Sequence, residues 1–539
     1  MSKELIYNEN AWKKLSEGVD KVADAVKITI GPRGHNVVLG RKTGSPTITN
    51  DGVTIAKEIQ LEDEFENMGA QLMIEVASRA NNVAGDGTTT ATILGQAIFK
   101  QGLKNVVSGA NAMAIKRGIN KAVKVVVESI KKASKKVETK EDIGHVASVS
   151  ANNDNEIGDL ISEAMEKVGN DGIITVERSN GMDTYVDIVE GMQFDKGYIS
   201  PYMVNNRENM VSNIVNSFIL LTNKKISSTK DILHILEAVA ATKKPLLIIA
   251  QDVEGEALAT LVVNKLKGTL DVTAVKAPGF GDRQVEILED LATLTGGKVI
   301  TEELGLTLEK VALVDLGKAK KITVSKDDTT ITEGAGEKEK IDERISNLKK
   351  EIESTEDVHH EASLKQRLAS LTGGVAVMYA GAATETELLE KSHRIEDALQ
   401  STRAAIEEGI VCGGGVALVR AISDLKDKII KLKDDEKIGA EIVAKTLAMP
   451  MKQIANNAGQ EGSVIVQELL YKEPNIGFDA MTLKYVDMFE AGIVDPVKVT
   501  RSALQNAASI AGMLLTTGCL IADKKENNPP APQGVPRMM

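Results

Sequence analysis

The sequence predicts a multidomain protein of two styles, helical at both ends and α/β in the middle. Three observations carry this. Residues 1–132 and 408–524 show long helical periodicities rich in alanine and broken by glycine clusters. From about 190 to 375, short β-rich runs alternate with helical stretches, the signature of a sheet with crossover helices. The chain is 539 residues long, room for roughly three or four domains.

Taken in order, the N-terminal MSKELIYNENAWKK lacks the apolar stretch of a signal peptide. Phe65, Gly69, Leu72, Val76 and Val83 then fall at helical spacing, and Ile93, Leu94, Ala97 and Ile98 resume it after a break. The break reads Gly85-Asp86-Gly87-Thr88-Thr89-Thr90. Its glycines allow a tight turn, its threonines open a helix where anions bind, and Asp86 offers a hard oxygen for a phosphate-bound magnesium ion. On these residues alone, a helix–loop–helix corner capped by threonines explains the segment equally well.

In the middle region the expected strands are Ile173 to Val176, Phe218 to Leu221, Leu246 to Ala250 and Lys298 to Thr301. Gly191 stands at its entrance and Gly373-Gly374 at its exit, as hinges or as ordinary loop markers. The stretches 231–241 and 256–266 are apolar around more of the helix than one packing face needs. Such helices are either wholly buried or present an apolar patch to a partner. Ile341, Ile345, Leu348 and Ile352, followed by Leu364, Leu368 and Leu371, predict two antiparallel helices along one narrow seam. In the helix from about 385 to 408, Asp397 lies roughly 200° round the axis from Ile395, off the stripe of Leu388, Ser392, Ile395, Leu399, Thr402 and Ile406. Alone, that places it on a solvated face. The tail from Lys525 holds four of twelve prolines and is expected to be flexible.

Composition narrows the function. A net charge of −12 argues against a nucleic-acid or anionic-membrane surface. Two cysteines, Cys412 and Cys519, exclude a disulfide framework and suit a reducing cytosol, and no apolar run reaches the ~18 residues of a membrane helix. The histidines are scattered, so a histidine metal site has little support. The standard P-loop and dinucleotide fingerprints are absent. Instead, Gly31-Pro32-Arg33-Gly34, Asn50-Asp51-Gly52, Gly85 to Thr90 and Gly413-Gly414-Gly415 look like parts of one composite nucleotide pocket.

TITNDGVTIAKEI, VAGDGTTTAT, VEGMQFDKGYISPY, KPLLIIAQDVEGEALATLVVN, VKAPGFGDRQ, RIEDAL, CGGGVAL and DPVKVTRSAL, spread from about residue 3 to 523, resemble the group I chaperonins, the GroEL family. The resemblance implies an equatorial ATPase domain from 1–132 and 408–524, an intermediate domain from 133–189 and 376–407, and an apical domain at 190–375, with 525–539 as tail. It implies ATP hydrolysis to ADP and phosphate coupled to folding, an isomerase-class activity, with Mg2+ and K+.

Carried over by motif, Thr29, Ile30, Gly31, Pro32, Asn50, Asp86, Gly87, Thr88, Thr89, Thr90, Gly414, Asp479, Ala480, Met481 and Asp495 would bind ATP. Asp86 would hold magnesium, Asp51 and Asp397 would act on the attacking water, and Thr29, the position-50 carbonyl and Thr89 would bind potassium. Tyr198, Tyr202, Met203, Leu233, Leu236, Leu258, Val262 and Val263 would face non-native polypeptides and a GroES-like lid. Gly191, Gly373, Gly374 and Gly409 would be hinges. Two stacked seven-membered rings in the cytoplasm are implied, with neither nucleic acid nor membrane as partner. The alternative is an ATP-regulated ring scaffold without folding activity; no acceptor site for a metabolic kinase is evident. Three features depart from the family pattern: Asn50 stands where lysine is common, Asp479 where asparagine is common, and the tail lacks Gly-Gly-Met repeats.

Overall fold

The computed structural model describes residues 2–40, 46–169, 173–179, 181–189, 191–207, 209–301, 306–355, 358–372, 374–429 and 431–524. Gly373 and the tail at 525–539 lie outside the described residues. The chain forms two compact units. One comprises Met1–Glu163, Arg178–Asp183 and Ala380–Met539; the other comprises Ala164–Glu177 and Thr184–Tyr379. The segments expected as an intermediate domain divide between the two, with all of 133–163 and 380–407 in the first unit.

The first unit is a helical assembly whose core is built almost entirely of Ala, Val, Ile, Leu and Met. With 3% aromatic residues, close helix approach must replace bulk. At the crossing of Asn8–Val26 with Glu64–Ala84, a β-carbon on Gly18 would stand 1.8 Å from the Glu66 carbonyl oxygen, and one on Gly69 2.3 Å from that of Leu15. Only glycine permits that contact. Helix Val497–Leu515 runs through the centre against Thr88–Val107. The chain ends pair as antiparallel strands, Lys3–Tyr7 with Cys519–Asp523, which closes the unit on itself. As expected, Phe65, Gly69 and Val76 face the core, whereas Val83 is exposed near the helix end.

The second unit is built on a mixed sheet. Its strand order is Val272–Lys276, Leu246–Ala250, Ser212–Thr222, Gly317–Val324, Thr329–Gly334 and Gly191–Phe194, with Val299–Ile300 also paired to Ser212–Thr222. The first pairs are parallel and the later ones antiparallel. Alternation along Leu246–Ala250 sends Leu247 and Ile249 to one face and Leu246, Ile248 and Ala250 to the other, and both faces are covered, so the run is apolar throughout. Helix Asp282–Thr295 covers one face; Leu233–Thr242 and Gly255–Lys267 cover the other.

The seam predicted at 341–371 is present: helices Lys338–Ser354 and Val358–Thr372 meet through Leu348, Leu364 and Leu371, with Ile345, Ile352 and Leu368 at the margin. Ile341 packs instead into the sheet core. A buried ion pair locks this helical pair down, with Arg367 donating from Nε to Asp290 Oδ2 at 2.7 Å and from Nη2 to Oδ1 at 3.0 Å, and Arg344 Nε to Oδ1 at 2.8 Å. Nothing in the sequence pairs residues so far apart.

Candidate functional site

The site begins with a loop between two helices of the first unit. Gly85 closes Glu64–Ala84 at φ 70° and Gly87 opens Thr88–Val107 at φ 78°, left-handed values that favour glycine. A β-carbon on Gly87 would also press on Val499 at 2.8 Å. Asp86 is thereby held between the two helix ends, and Thr88, Thr89 and Thr90 form a first helical turn whose amides have no partner within the helix.

Three further segments converge on this loop. Asp51 caps helix Gly52–Glu58, accepting from Val53 N at 3.2 Å and Thr54 N at 2.9 Å. Gly52 is pinned there, because a β-carbon would lie 2.6 Å from Thr89 Oγ1 and 2.7 Å from Thr88 Oγ1. The turn at Lys27–Thr29 brings Thr29 Oγ1 to 3.4 Å from Thr89 Oγ1. It is fixed by Asn457, whose Nδ2 donates to the carbonyls of Lys27, Ile28 and Ile30. Helix Glu385–Glu408 supplies Asp397.

Together they enclose a cavity of two adjoining lobes. A lobe of about 200 Å³ is lined by Thr29, Ile30, Gly31, Asn50, Asp51, Asp86 to Thr90, Asp397 and Asp495. A lobe of about 210 Å³ adds Pro32, Gly414, Phe478, Asp479 and Ala480. The first is acidic and hydroxyl-rich and suits phosphates with cations; the second has apolar walls from Leu418, Ile454 and Phe478 and suits a flat base. Met481 does not line either lobe. Its side chain is half exposed, and its carbonyl accepts from Arg33 Nη2 at 2.7 Å, a contact that fixes the loop.

The electrostatics are those of carboxyl groups crowded together in a buried space. Burial, followed by the charges of Asp51 and Asp86, pushes the Asp397 carboxyl well above its usual range. Burial and the Asp86 charge push Asp495 up to about 7, against one backbone N–H from Gly415. The arginine at the rim, Arg394, is committed to Glu390 and to Asp154 at 3.3 Å. Among the described residues, no group of three His, Cys, Asp or Glu side chains forms a ready metal site. Asp86, one carboxylate beside threonine hydroxyls and first-turn amides, fits a magnesium ion that would take most of its ligands from phosphate and water. Thr29 and Thr89 hydroxyls, with Asn50 beside them, fit a monovalent cation.

A protein-family model, the TCP-1/cpn60 chaperonin family, matches residues 22–525. The chain belongs to that family. Chaperonins assist protein folding, bind non-native polypeptides and assemble as rings.

The second face expected of this chaperonin lies on its α/β unit. Tyr202 is 65% exposed, Leu233 45% and Val263 46%. Tyr198, Leu258 and Val262 are half-buried, the latter two leaning on the core beneath helix Gly255–Lys267. Two expected face residues belong to the core instead. Met203 is fully buried, its sulfur accepting from Ala274 N, and Leu236 packs under helix Leu233–Thr242 beside Ile235 and Val239. Leu233 is the first residue of its helix and stays exposed at that end, whereas Leu236, one turn on along the same side, is covered by the core.

Among the glycines expected as hinges, Gly374 (φ 60°) and Gly409 (φ 87°) have left-handed backbones, and Gly409 ends helix Glu385–Glu408. Gly191 is a strand residue kept small by Val375, whose Cγ2 would lie 2.4 Å from a β-carbon. Sequence reasoning missed Ser150, Ser401 and Asn457, and the tie from Arg33 to Met481. Each acts across hundreds of residues or through a single hydroxyl, and none has a local pattern. No helix among the described residues is long and apolar enough to cross a membrane.

Proposed function

We propose that this chaperonin is of group I, hydrolyses ATP with Mg2+ and K+, captures non-native chains on its exposed apolar helices, and closes over them with a GroES-like lid in two stacked seven-membered rings in the cytoplasm. The observation that carries the reading is the convergence of Asp51, Asp86 and Asp397 on a threonine-lined helix start in one cavity.

Magnesium, when bound, neutralises phosphate charge as the terminal phosphoryl group is transferred to water. The chain does the rest by positioning. First-turn amides and hydroxyls of Thr88, Thr89 and Thr90 hold phosphate oxygens. Asp86 anchors the metal. Asp495 accepts from ribose hydroxyls, and the Ile454–Phe478 wall stacks the base. Asp51, already fixed as a helix cap, orients the attacking water, and Asp397 takes its proton. Exposed Leu233, Val263 and Tyr202 offer non-native chains what they share, apolar surface, without polar groups that would select among them.

Asp397 is read as acting on the attacking water and not on the nucleotide, so Asp397→Ala is expected to bind ATP with little change and to turn it over about 10²-fold more slowly. Steady-state turnover with parallel binding measurements decides it. Turnover near that of the parent removes Asp397 from the reaction, and loss of binding would make it a nucleotide ligand instead.

A further inference from the structure

Two hydroxyls from outside the phosphate loop grip Asp86. Its Oδ1 accepts from the Gly87 amide, and its Oδ2 accepts from Ser150 Oγ at 3.1 Å and Ser401 Oγ at 2.9 Å. Ser150 ends helix Lys140–Ser150 and lines the phosphate lobe. Ser401 has no exposed surface, and a buried hydroxyl needs a partner; Asp86 is that partner. It stands four residues after Asp397, so both project from one face of helix Glu385–Glu408.

The same helix touches the loop at two further points. Gln400 presses on Gly85, where a β-carbon would come within 2.1 Å, and Ala404 packs on Ala84 and Val499. The apolar contact is indifferent to charge. The Ser401 bond is not, because it occupies acceptor capacity on the carboxylate proposed to hold magnesium. Each carboxylate oxygen has about two lone-pair sites, and Oδ2 has both filled by hydroxyls. A cation drawing on Oδ2 must release one of them.

We propose that Ser401 is a positioning residue for Asp397 acting through Asp86: its hydroxyl ties the Asp397 helix to Asp86, and this tie competes with magnesium for the carboxylate. Filling of the metal site and seating of Asp397 are then linked through one hydrogen bond. The proposal rests on the reading of Asp86 as the magnesium ligand.

The test is magnesium titration of ADP binding by calorimetry on the full-length protein and on Ser401→Ala, with Ser401→Thr retaining the hydroxyl. In the alanine variant Ser150 and the Gly87 amide still orient Asp86. Its half-saturating magnesium concentration is expected to fall about tenfold, the worth of one charge-assisted hydrogen bond, with Ser401→Thr close to the parent. Amide exchange of residues 397–405 is expected to quicken in nucleotide-free Ser401→Ala and to match the parent when magnesium-ADP saturates both. A purely structural serine would lower the melting temperature and leave the magnesium midpoint within twofold. That result, or a weakened midpoint, overturns the proposal, and the alanine variant decides even if the threonine variant does not fold. If the parent binds ADP without magnesium dependence, the reading of Asp86 has failed and this inference falls with it. Normal magnesium dependence in the parent with an unaltered alanine variant sinks this inference alone.

Discussion

The pocket of the helical unit and the apolar face of the α/β unit break the rules of burial in opposite directions. In the pocket, carboxylates that water would stabilise are drawn into an enclosed space, to the point that Asp397 and Asp495 both cling to protons. On the face, Leu233, Val263 and Tyr202 stand in water although they could have been covered. Each arrangement costs stability with nothing bound, and under the proposed function each would be relieved by a different partner: a cation with its nucleotide, or an apolar chain. A functional site here is polarity, or its lack, in the wrong place.

The largest expected effect separates face from core within one unit. Leu261→Ser and Met203→Ser empty fully buried positions and should destabilise the fold by about 3–5 kcal/mol, through a cavity and an unpaired hydroxyl. Leu233→Ser and Val263→Ser should stay within ~0.5 kcal/mol of the parent while losing capture of a denatured protein. Denaturant melts and aggregation assays on the four variants make the comparison. A collapse of the exposed pair would show that they are core, and undiminished capture would leave a ring scaffold without folding activity as the better account.

In the pocket the corresponding change is Asp86→Ala. Removing the carboxylate proposed to anchor magnesium should weaken magnesium-ADP binding by roughly 2–3 kcal/mol, the worth of a hydrogen-bonded or ligating charge. Unchanged affinity by calorimetry would remove the loop from the metal site.

The two regions also differ in how far the sequence exposes them. The Gly85 to Thr90 loop is legible because glycine and threonine are there for local reasons, φ angles and a helix start, and local reasons leave local patterns. So is the alternation that builds Leu246–Ala250, and the seam of Leu348, Leu364 and Leu371. The face is legible only as an excess of apolar residues. Which of them turn outward depends on what covers each position: Leu233 opens its helix exposed while Leu236, one turn on, is packed, and Tyr202 is exposed while its neighbour Met203 is buried. Least legible are the ties that hold the pocket in shape: Asn457 on the 27–30 turn, Arg33 on Met481, and the serines on Asp86. Sequence periodicity reports what a residue does for its own helix, whereas these side chains serve another segment. Asp397 illustrates both limits. Its angle round the helix was legible, but the helix presses that face against the phosphate loop, so a position that reads as solvated surface becomes a pocket wall.

The smallest expected effect concerns the buried carboxyl of Asp495. Asp495 titrates near 7 in the folded protein against an ordinary 3.8, burial being the main cause and Asp86 the second. Between about pH 4 and 7 the folded state therefore binds this proton more firmly than the unfolded chain does, and stability falls as the pH rises through that window. Full linkage over such a shift is up to about 4 kcal/mol; with water reaching the pocket mouth, about 2 kcal/mol is expected. Asp495→Asn removes the titration and should flatten the decline in nucleotide-free protein, leaving the share that belongs to Asp397, whose proton affinity is raised in the same direction. Asp63 and Glu66, lowered by hydrogen bonds from Lys14, shift stability the opposite way and only on the acid side of their ordinary values, so they do not mask the effect. Urea melts of parent and variant at pH 5 and pH 7.5 measure it. Parallel declines would mean that Asp495 is ionised at little cost and that the pocket is wetter than its burial implies. A flattened decline in the variant, abolished in the parent by magnesium-ADP, would show that the cation and nucleotide relieve the same strain that the mutation removes.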